Sequence, residues 1–296
     1  MSNAETFRPA TNYAEACARF DALRALDDDK ISNAAHSRLY DRGARVPLAV
    51  VLLHGFTNCP EQWSRFAEEL FDRGHNVVVP RLPGHGDAGR SCARLAKMKV
   101  ADFVATTNDA LDIAHGLGER VVVAGLSLSG TLAAHAAIQR DDVARALSIV
   151  PLLGLSGMTP WRDALLAFAL RTLPNVNFPW DPFGAEKLIP MHAYPAFPTH
   201  GLAESLRFGL AEYRAAVTHA PAGTIIMVTN ANDPAIDNAM CAEIVRRWNS
   251  ARRGSATAFQ FLDLPKNHDI IDPSNPLQRT AEIYPKLRDL VEAALP

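Results

Sequence analysis

Apolar residues fall along this chain in short unbroken blocks separated by longer amphipathic stretches. Leu48-Ala49-Val50-Val51-Leu52-Leu53 is the first block and Val121-Val122-Val123-Ala124 another, and residues 75–80, 144–150 and 224–229 repeat the theme. A run of this length without polar alternation predicts a strand covered on both faces, as in parallel sheets. Between the blocks the spacing becomes helical. Residues 63–71 place Trp63, Phe66 and Leu70 on one side, while 101–118 and the small-residue run from Gly130 predict two further helices. Near the start, Asn12 and Glu15 have capping-box spacing, and Phe20 and Leu23 supply the apolar face of a first helix that Asp27-Asp28-Asp29 ends. A short strand at 37–41 and a last one at 259–264 complete the set. This alternation predicts an α/β fold, a mostly parallel doubly wound sheet between helical layers.

From Pro151 to Pro221 the texture changes. Nine of the chain's 20 prolines fall there, with Trp161, Phe168, Phe178, Trp180, Phe183, Tyr194, Phe197 and Phe208 and two amphipathic stretches at 161–173 and 202–216. A long aromatic excursion between two core strands predicts a helical cap over one end of the sheet. The expected organisation is a helical extension over 1–36, a core over 37–150, a cap insertion over 151–222 and the core resumed over 223–296. Within the cap, Trp161, Leu165, Phe168, Phe178 and Trp180 are the candidates for lining an apolar pocket. The plainer expectation is that the cap aromatics pack among themselves.

Composition narrows the partners. At 296 residues and 48% apolar content, one large domain with an insertion is expected. A net charge of −2 and a pI near 6.5 carry no nucleic-acid footprint and no polybasic membrane patch. No window reaches the roughly 18 uncharged apolar residues of a membrane span, and no signal peptide is visible, so a cytoplasmic location is expected. Ser2-Asn3-Ala4 reads as a vector-derived remnant. The cysteines Cys17, Cys59, Cys92 and Cys241 lack paired or metal-type spacing and are expected as free thiols.

The candidate chemistry sits at the ends of the blocks. Val121-Val122-Val123-Ala124 runs into Gly125-Leu126-Ser127-Leu128-Ser129, and a small-residue helix follows. A buried strand passing through Gly-x-Ser into a helix suits a nucleophile elbow, where the serine hydroxyl projects from the sheet edge. The fifth position is Ser129 rather than glycine, a mild departure; Gly and Ser also suit ordinary strand–helix junctions. The strand at 48–53 ends in His54-Gly55-Phe56-Thr57, where a glycine lets the chain turn close to the sheet. The N–H groups of Phe56 and Leu128 would then form an oxyanion hole around Ser127.

His54-Gly55-Phe56, Arg81-Leu82-Pro83-Gly84-His85-Gly86 and Gly125-Leu126-Ser127-Leu128 together resemble the α/β-hydrolase superfamily, and within it bacterial carboxylesterases and monoacylglycerol-lipase-like enzymes. The resemblance spans the chain from about Arg38 onward. It implies a three-layer fold and a Ser–Asp–His triad. The family pattern places the acid at Asp233, in the loop after the strand at 224–229; Asp237 competes, although it could simply cap the next helix. His268, just past the last strand, falls where the general base belongs, and Ser127, Asp233, His268 is the chain order of these enzymes. Of the other histidines, His54 and His85 sit in Gly turns that suggest loop geometry, His115 and His135 lie in helices, and His192, His200 and His219 lie in the cap. The expected activity is hydrolysis of a small-molecule carboxylic ester with an apolar acyl group, through an acyl-enzyme, with neither metal nor cofactor. The alternatives are a thioesterase or amidase with the same triad, and a non-catalytic protein that binds a ligand in the pocket. A serine nucleophile disfavours dehalogenases and epoxide hydrolases of this fold, which use an aspartate.

Overall fold

The computed structural model describes residues 7–180 and 189–294, so Phe183 and Ser2-Asn3-Ala4 lie outside the described residues. Its strands are β1 (Arg38–Tyr40), β2 (Val46–Leu53), β3 (Asn76–Val79), β4 (Gly118–Leu126), β5 (Arg145–Ile149), β6 (Asn177–Pro179), β7 (Ala196–Pro198), β8 (Thr224–Asn230) and β9 (Ala256–Phe261). Seven of them form one sheet in the order β1-β3-β2-β4-β5-β8-β9, and β6 pairs with β7 in a separate ribbon. Every neighbouring pair in the main sheet is parallel except β1 against β3. The apolar blocks occupy the centre: Val51 pairs with Val78 on one side and Val123 on the other. Val50, Val51, Leu52 and Leu53 are all fully buried, each contributing about 1.5–3 kcal/mol where its size is that of a valine or leucine.

The edge strand corrects one expectation. The last strand runs Ala256–Phe261 rather than 259–264. An edge strand exposes one side, so Thr257 and Gln260 serve in it without being apolar, while Leu262 lies beyond its end, largely exposed. Weighting by hydrophobicity therefore displaces the expected strand toward the C-terminus.

Helices α1 (Tyr13–Arg24), α2 (Ser64–Asp72), α3 (Val100–Leu117), α4 (Leu128–Gln139), α5 (Pro160–Thr172), α6 (Thr199–Ala215), α7 (Asn238–Ala251) and α8 (Thr280–Glu292) flank the sheet and build the excursion. Asn12 Oδ1 accepts the Glu15 N–H at 3.0 Å, but the reciprocal arm of the cap reaches Thr11, whose N–H donates to Glu15 Oε2 at 2.9 Å. The N-terminal segment is fastened to the core by Ala10 N–H, which donates to Asp112 O of α3 at 2.8 Å. Trp63 belongs to the one-turn helix Pro60–Trp63 that precedes α2 rather than to α2 itself. Helices α2 and α8 meet through Phe66 and Tyr284, whose ring centroids lie 5.0 Å apart, and through Arg288 to Glu69 at 2.7 Å. Between β5 and β8 the chain builds α5, the β6–β7 ribbon and α6. None of the helices among the described residues is long and apolar enough to cross a membrane.

The parallel strands β2, β4, β5 and β8 all end on the same side of the sheet. Loops leaving the carboxyl ends of such strands are where open α/β sheets bind ligands.

Candidate active site

Ser127 is the first residue after β4 and the N-cap of α4, with φ 62° and ψ −121°. A non-glycine residue at positive φ costs about 1–3 kcal/mol and persists only where the surroundings enforce it. Here they do. Ser127 N–H donates to Ile149 O at 2.9 Å, and its carbonyl accepts the N–H groups of Thr131 and Leu152 at 3.1 and 3.2 Å. The turn is so tight that a Cβ at Gly125 would stand 2.0 Å from Ser129 O, and one at Gly130 2.7 Å from Ile149 O. Ser129 itself is fully buried and donates its hydroxyl to the His54 carbonyl, tying the elbow to the loop after β2. The serine in place of glycine is thus accommodated by a hydrogen bond, and the demand for smallness moves to Gly125 and Gly130.

Two loops at the carboxyl edge bring an acid to a histidine. Asp233, in the loop after β8, accepts Ala235 N–H at 2.8 Å and Ile236 N–H at 3.2 Å on Oδ1. Its Oδ2 lies 2.8 Å from His268 Nδ1. The histidine loop is held from β8, where Asn230 Nδ2 donates to Pro265 O and Asn267 O at 3.0 and 2.8 Å. A carboxylate at Nδ1 assigns the proton to that nitrogen and leaves the Nε2 lone pair free. Burial opposes charge on His268, but the Asp233 carboxylate and its hydrogen bond, with Asp269 adding, lift its pKa above the ordinary histidine value. Asp237 does not meet the histidine. It caps α7, accepting Met240 N–H on Oδ1 at 2.9 Å.

Ser127 and His268 line one cavity of about 610 Å³, and Phe56 lines it with them. Leu128 opens α4, and the first N–H groups of a helix have no carbonyl a turn earlier to receive them. Phe56 N–H likewise has no acceptor among the described residues. His54 and His85 are buried behind this loop with ring centroids 4.7 Å apart. His54 Nε2 accepts Leu82 N–H at 3.0 Å, and burial, with His85 beside it, drives its pKa well below the ordinary value. Burial holds His85 down at about 4. Both are neutral struts between the glycine turns.

The apolar wall of the cavity differs from the expected one. Trp180 belongs to it, and its indole N–H donates to Thr57 Oγ1 at 2.8 Å. Trp161, Leu165 and Phe168 do not: they stand on α5, 62%, 59% and 65% exposed, outside the cavity wall. Phe178 is also half-exposed, is not part of the cavity wall and packs on Phe197, ring centroids 5.8 Å apart. The reason lies in how α5 docks. Its fully buried residues are small or polar, Ala167 and Asp163, with Leu166 partly buried beside them, and Trp161, Leu165 and Phe168 are left exposed. The wall is supplied instead by Leu152, Leu155 and Met158, which follow β5 directly, and by Phe197 and Leu202 from the far side of the excursion. The signal for the first three was their place just past a strand's carboxyl end.

The model of the alpha/beta hydrolase family matches residues 50–283. The chain belongs to this family. Over 106 residues it is 32% identical to a thermostable monoacylglycerol lipase of Bacillus sp. (strain H-257), a stretch covering 36% of this chain and 40% of that protein, so the match spans well under half of the relative's length. Among solved structures, the monoglyceride lipase of Saccharomyces cerevisiae, a soluble variant with a substrate analogue, superposes with a TM-score of 0.66 at 14% identity, covering 87% of this chain and 91% of that one. The Paleococcus ferrophilus monoacylglycerol lipase gives 0.63 at 18% identity over 86% and 97%. A metagenome-derived lipolytic enzyme gives 0.68 at 18% identity over 89% and 100%. At such identities the structural likeness is one of fold.

In this alpha/beta hydrolase the cysteines are free, and Cys59, Cys92 and Cys241 are buried. Among the described residues no group of three or more His, Cys, Asp or Glu is placed to hold a metal ion. Thr57 was missed by sequence reasoning. It holds φ 66° beside Phe56, and it is clamped twice from the excursion between β5 and β8, by the Trp180 indole and by Tyr194 N–H, which donates to Thr57 O at 2.8 Å.

Proposed function

We propose that the protein is a carboxylic ester hydrolase that works through an acyl-enzyme on Ser127. The observation that carries this reading is the 2.8 Å contact of Asp233 Oδ2 with His268 Nδ1 on the same cavity as the strained elbow serine. A lone serine at a strand–helix turn needs no oriented imidazole.

In the proposed reaction His268 Nε2 takes the Ser127 hydroxyl proton as Oγ bonds to the ester carbonyl carbon. The carbonyl π electrons move onto oxygen, where the N–H groups of Phe56 and Leu128 hold the charge; each such donor is worth about 2.7–4 kcal/mol in the transition state. The carbon–oxygen bond to the alcohol then breaks, and the departing oxygen takes the proton from Nε2. Water repeats the sequence, giving its proton to Nε2 and releasing the acid, while Oγ recovers a proton. Asp233 keeps the tautomer and stabilises the imidazolium at each stage.

The substrate reading rests on the wall. Leu152, Leu155, Met158, Phe197, Leu202 and Trp180 make an apolar chamber suited to an acyl chain, with residues 151–222 acting as its cap. The relatives' names, monoacylglycerol lipases and a lipolytic enzyme, agree with an ester of that character. The test is steady-state hydrolysis of p-nitrophenyl butyrate by the wild type and Ser127→Ala, with the corresponding thioester and anilide alongside. Loss of on the order of 10⁴–10⁶ in kcat for the variant supports the reading. A preference for the thioester or anilide would move the activity to a thioesterase or amidase, and no turnover of any of them would favour a binding protein.

A further inference from the structure

Gln62 stands between the two loops that the proposed chemistry needs. It lies in the buried turn Pro60–Trp63 and is 1% exposed. Its Oε1 accepts the Gly55 N–H at 2.8 Å, and its Nε2 donates to Asp269 Oδ2 at 2.8 Å. Gly55 immediately precedes Phe56, and Asp269 immediately follows His268. One side chain therefore ties the peptide next to an oxyanion donor to the residue next to the general base. Asn58 adds a parallel tie, Nδ2 donating to the same Asp269 oxygen at 3.1 Å. Gln62, Asn58 and Asp269 all line the cavity beside Ser127.

We infer that Gln62 and Asp269 form a strut that fixes the distance between the oxyanion loop and the histidine loop, and that both are positioning residues for the hydrolysis. The inference rests on the reading of Ser127, His268 and Phe56 given above. Its physical ground is tolerance. An oxyanion donor acts over about 2.7–3.1 Å, and displacement of about 1 Å in such an arrangement costs on the order of 100-fold in rate. Neither loop is regular structure, and Asn230 of β8 and Ser129 of α4 each hold one of the loops without tying it to the other. A half-buried carboxylate is an unusual choice for a plain packing contact, since loss of solvent and the neighbouring Asp272 both oppose its charge and push the Asp269 pKa up to about 6. The charged groups around Asp269 are His268 on its own loop, Asp233 across the imidazole, and Asp272, whose Oδ2 pairs with His192 Nε2 of the cap at 2.8 Å. Tyr284 of α8 completes the surroundings and donates to Ile271 O at 2.6 Å.

The experiment compares wild type, Gln62→Leu, Gln62→Glu and Asp269→Asn by p-nitrophenyl butyrate hydrolysis across pH. Rates are normalised to the sites titrated by a fluorophosphonate, and thermal melts are recorded for each protein. Gln62→Glu keeps the acceptor for Gly55 but replaces the donor to Asp269 with a carboxylate oxygen that repels it, so it breaks the strut at that end alone and carries the test if Gln62→Leu does not fold. Both Gln62 variants should lose about 10–100-fold in kcat per titrated site with KM nearly unchanged. In Asp269→Asn the acid limb of kcat/KM should move to lower pH, because a negative neighbour that favours the His268 imidazolium has gone. Normal kcat per titrated site with only a lowered Tm would overturn the inference, as would an acid limb unmoved in Asp269→Asn. A wild type that takes no label at Ser127 would instead overturn the hydrolase reading beneath it.

Discussion

Asp233 Oδ2 stands 2.8 Å from His268 Nδ1, whereas the Asp237 carboxylate is directed away from the histidine to the Met240 N–H at the start of α7. The two acids share one loop and differ in what they touch. Asp233→Asn should lower kcat by on the order of 10³–10⁴ with little change in fold. Asp237→Ala should leave kcat within a few-fold of wild type and cost about 0.5–2 kcal/mol of stability, the value of a helix cap. Kinetics and chemical denaturation of the two variants check this, and the reverse ranking would transfer the acid to Asp237.

The pH dependence follows from the lifted pKa of His268. A general base works only when neutral, so kcat/KM should fall as pH drops through a midpoint above the ordinary histidine value of about 6.5. Asp233→Asn removes the main cause of the lift, and its residual activity should persist to lower pH. The stability sign runs the other way: the Asp233–His268 pair contributes fully below the ordinary histidine pKa, and that contribution is lost as pH rises through the higher folded value. Rate profiles and melts across pH 5–9 read both effects.

Much of this site was legible in the chain because its parts sit at element ends, where residue type and backbone geometry are tightly linked. Unbroken apolar blocks located the central strands, and Ser127 and Asp233 each follow one, while His268 follows the mixed edge strand β9. The cap was harder. Aromatic content reveals that a segment must bury something, but α5 turns Trp161 and Phe168 outward because Asp163 and Ala167 take its inner face. Helical periodicity alone cannot assign a face when both sides carry apolar residues. Thr57 and Gln62 left no signal either, since their roles depend on partners far along the chain, Trp180 and Asp269.

The wall assignment gives a sharp contrast between two residues of the excursion. Each acyl methylene buried should add up to about 0.8 kcal/mol to transition-state binding, so kcat/KM should climb from acetate to longer esters until the chamber fills. Leu155→Ser, on the cavity wall, should flatten that climb, while Phe168→Ser, on the outer face of α5, should leave it intact. A chain-length series with p-nitrophenyl esters decides, and equal effects of the two substitutions would refute the assignment.

The clamp on Thr57 links the excursion between β5 and β8 to the loop that carries the proposed oxyanion donor Phe56. Trp180→Phe removes the indole donor, and Thr57→Val removes the acceptor. Each should lower kcat/KM several-fold, and a double-mutant cycle should return a coupling of about 0.5–1.5 kcal/mol, the net value of one hydrogen bond. Additive effects would mean that the contact plays no part in catalysis.

The central claim is that Ser127 is the nucleophile of an ester hydrolase, and covalent labelling tests it most directly. After treatment with a fluorophosphonate and proteolysis, mass spectrometry should find the adduct on Ser127, with Ser127→Ala unlabelled and Ser129→Ala labelled if it folds. An adduct on Ser129, or no adduct in a folded wild type, would contradict the account.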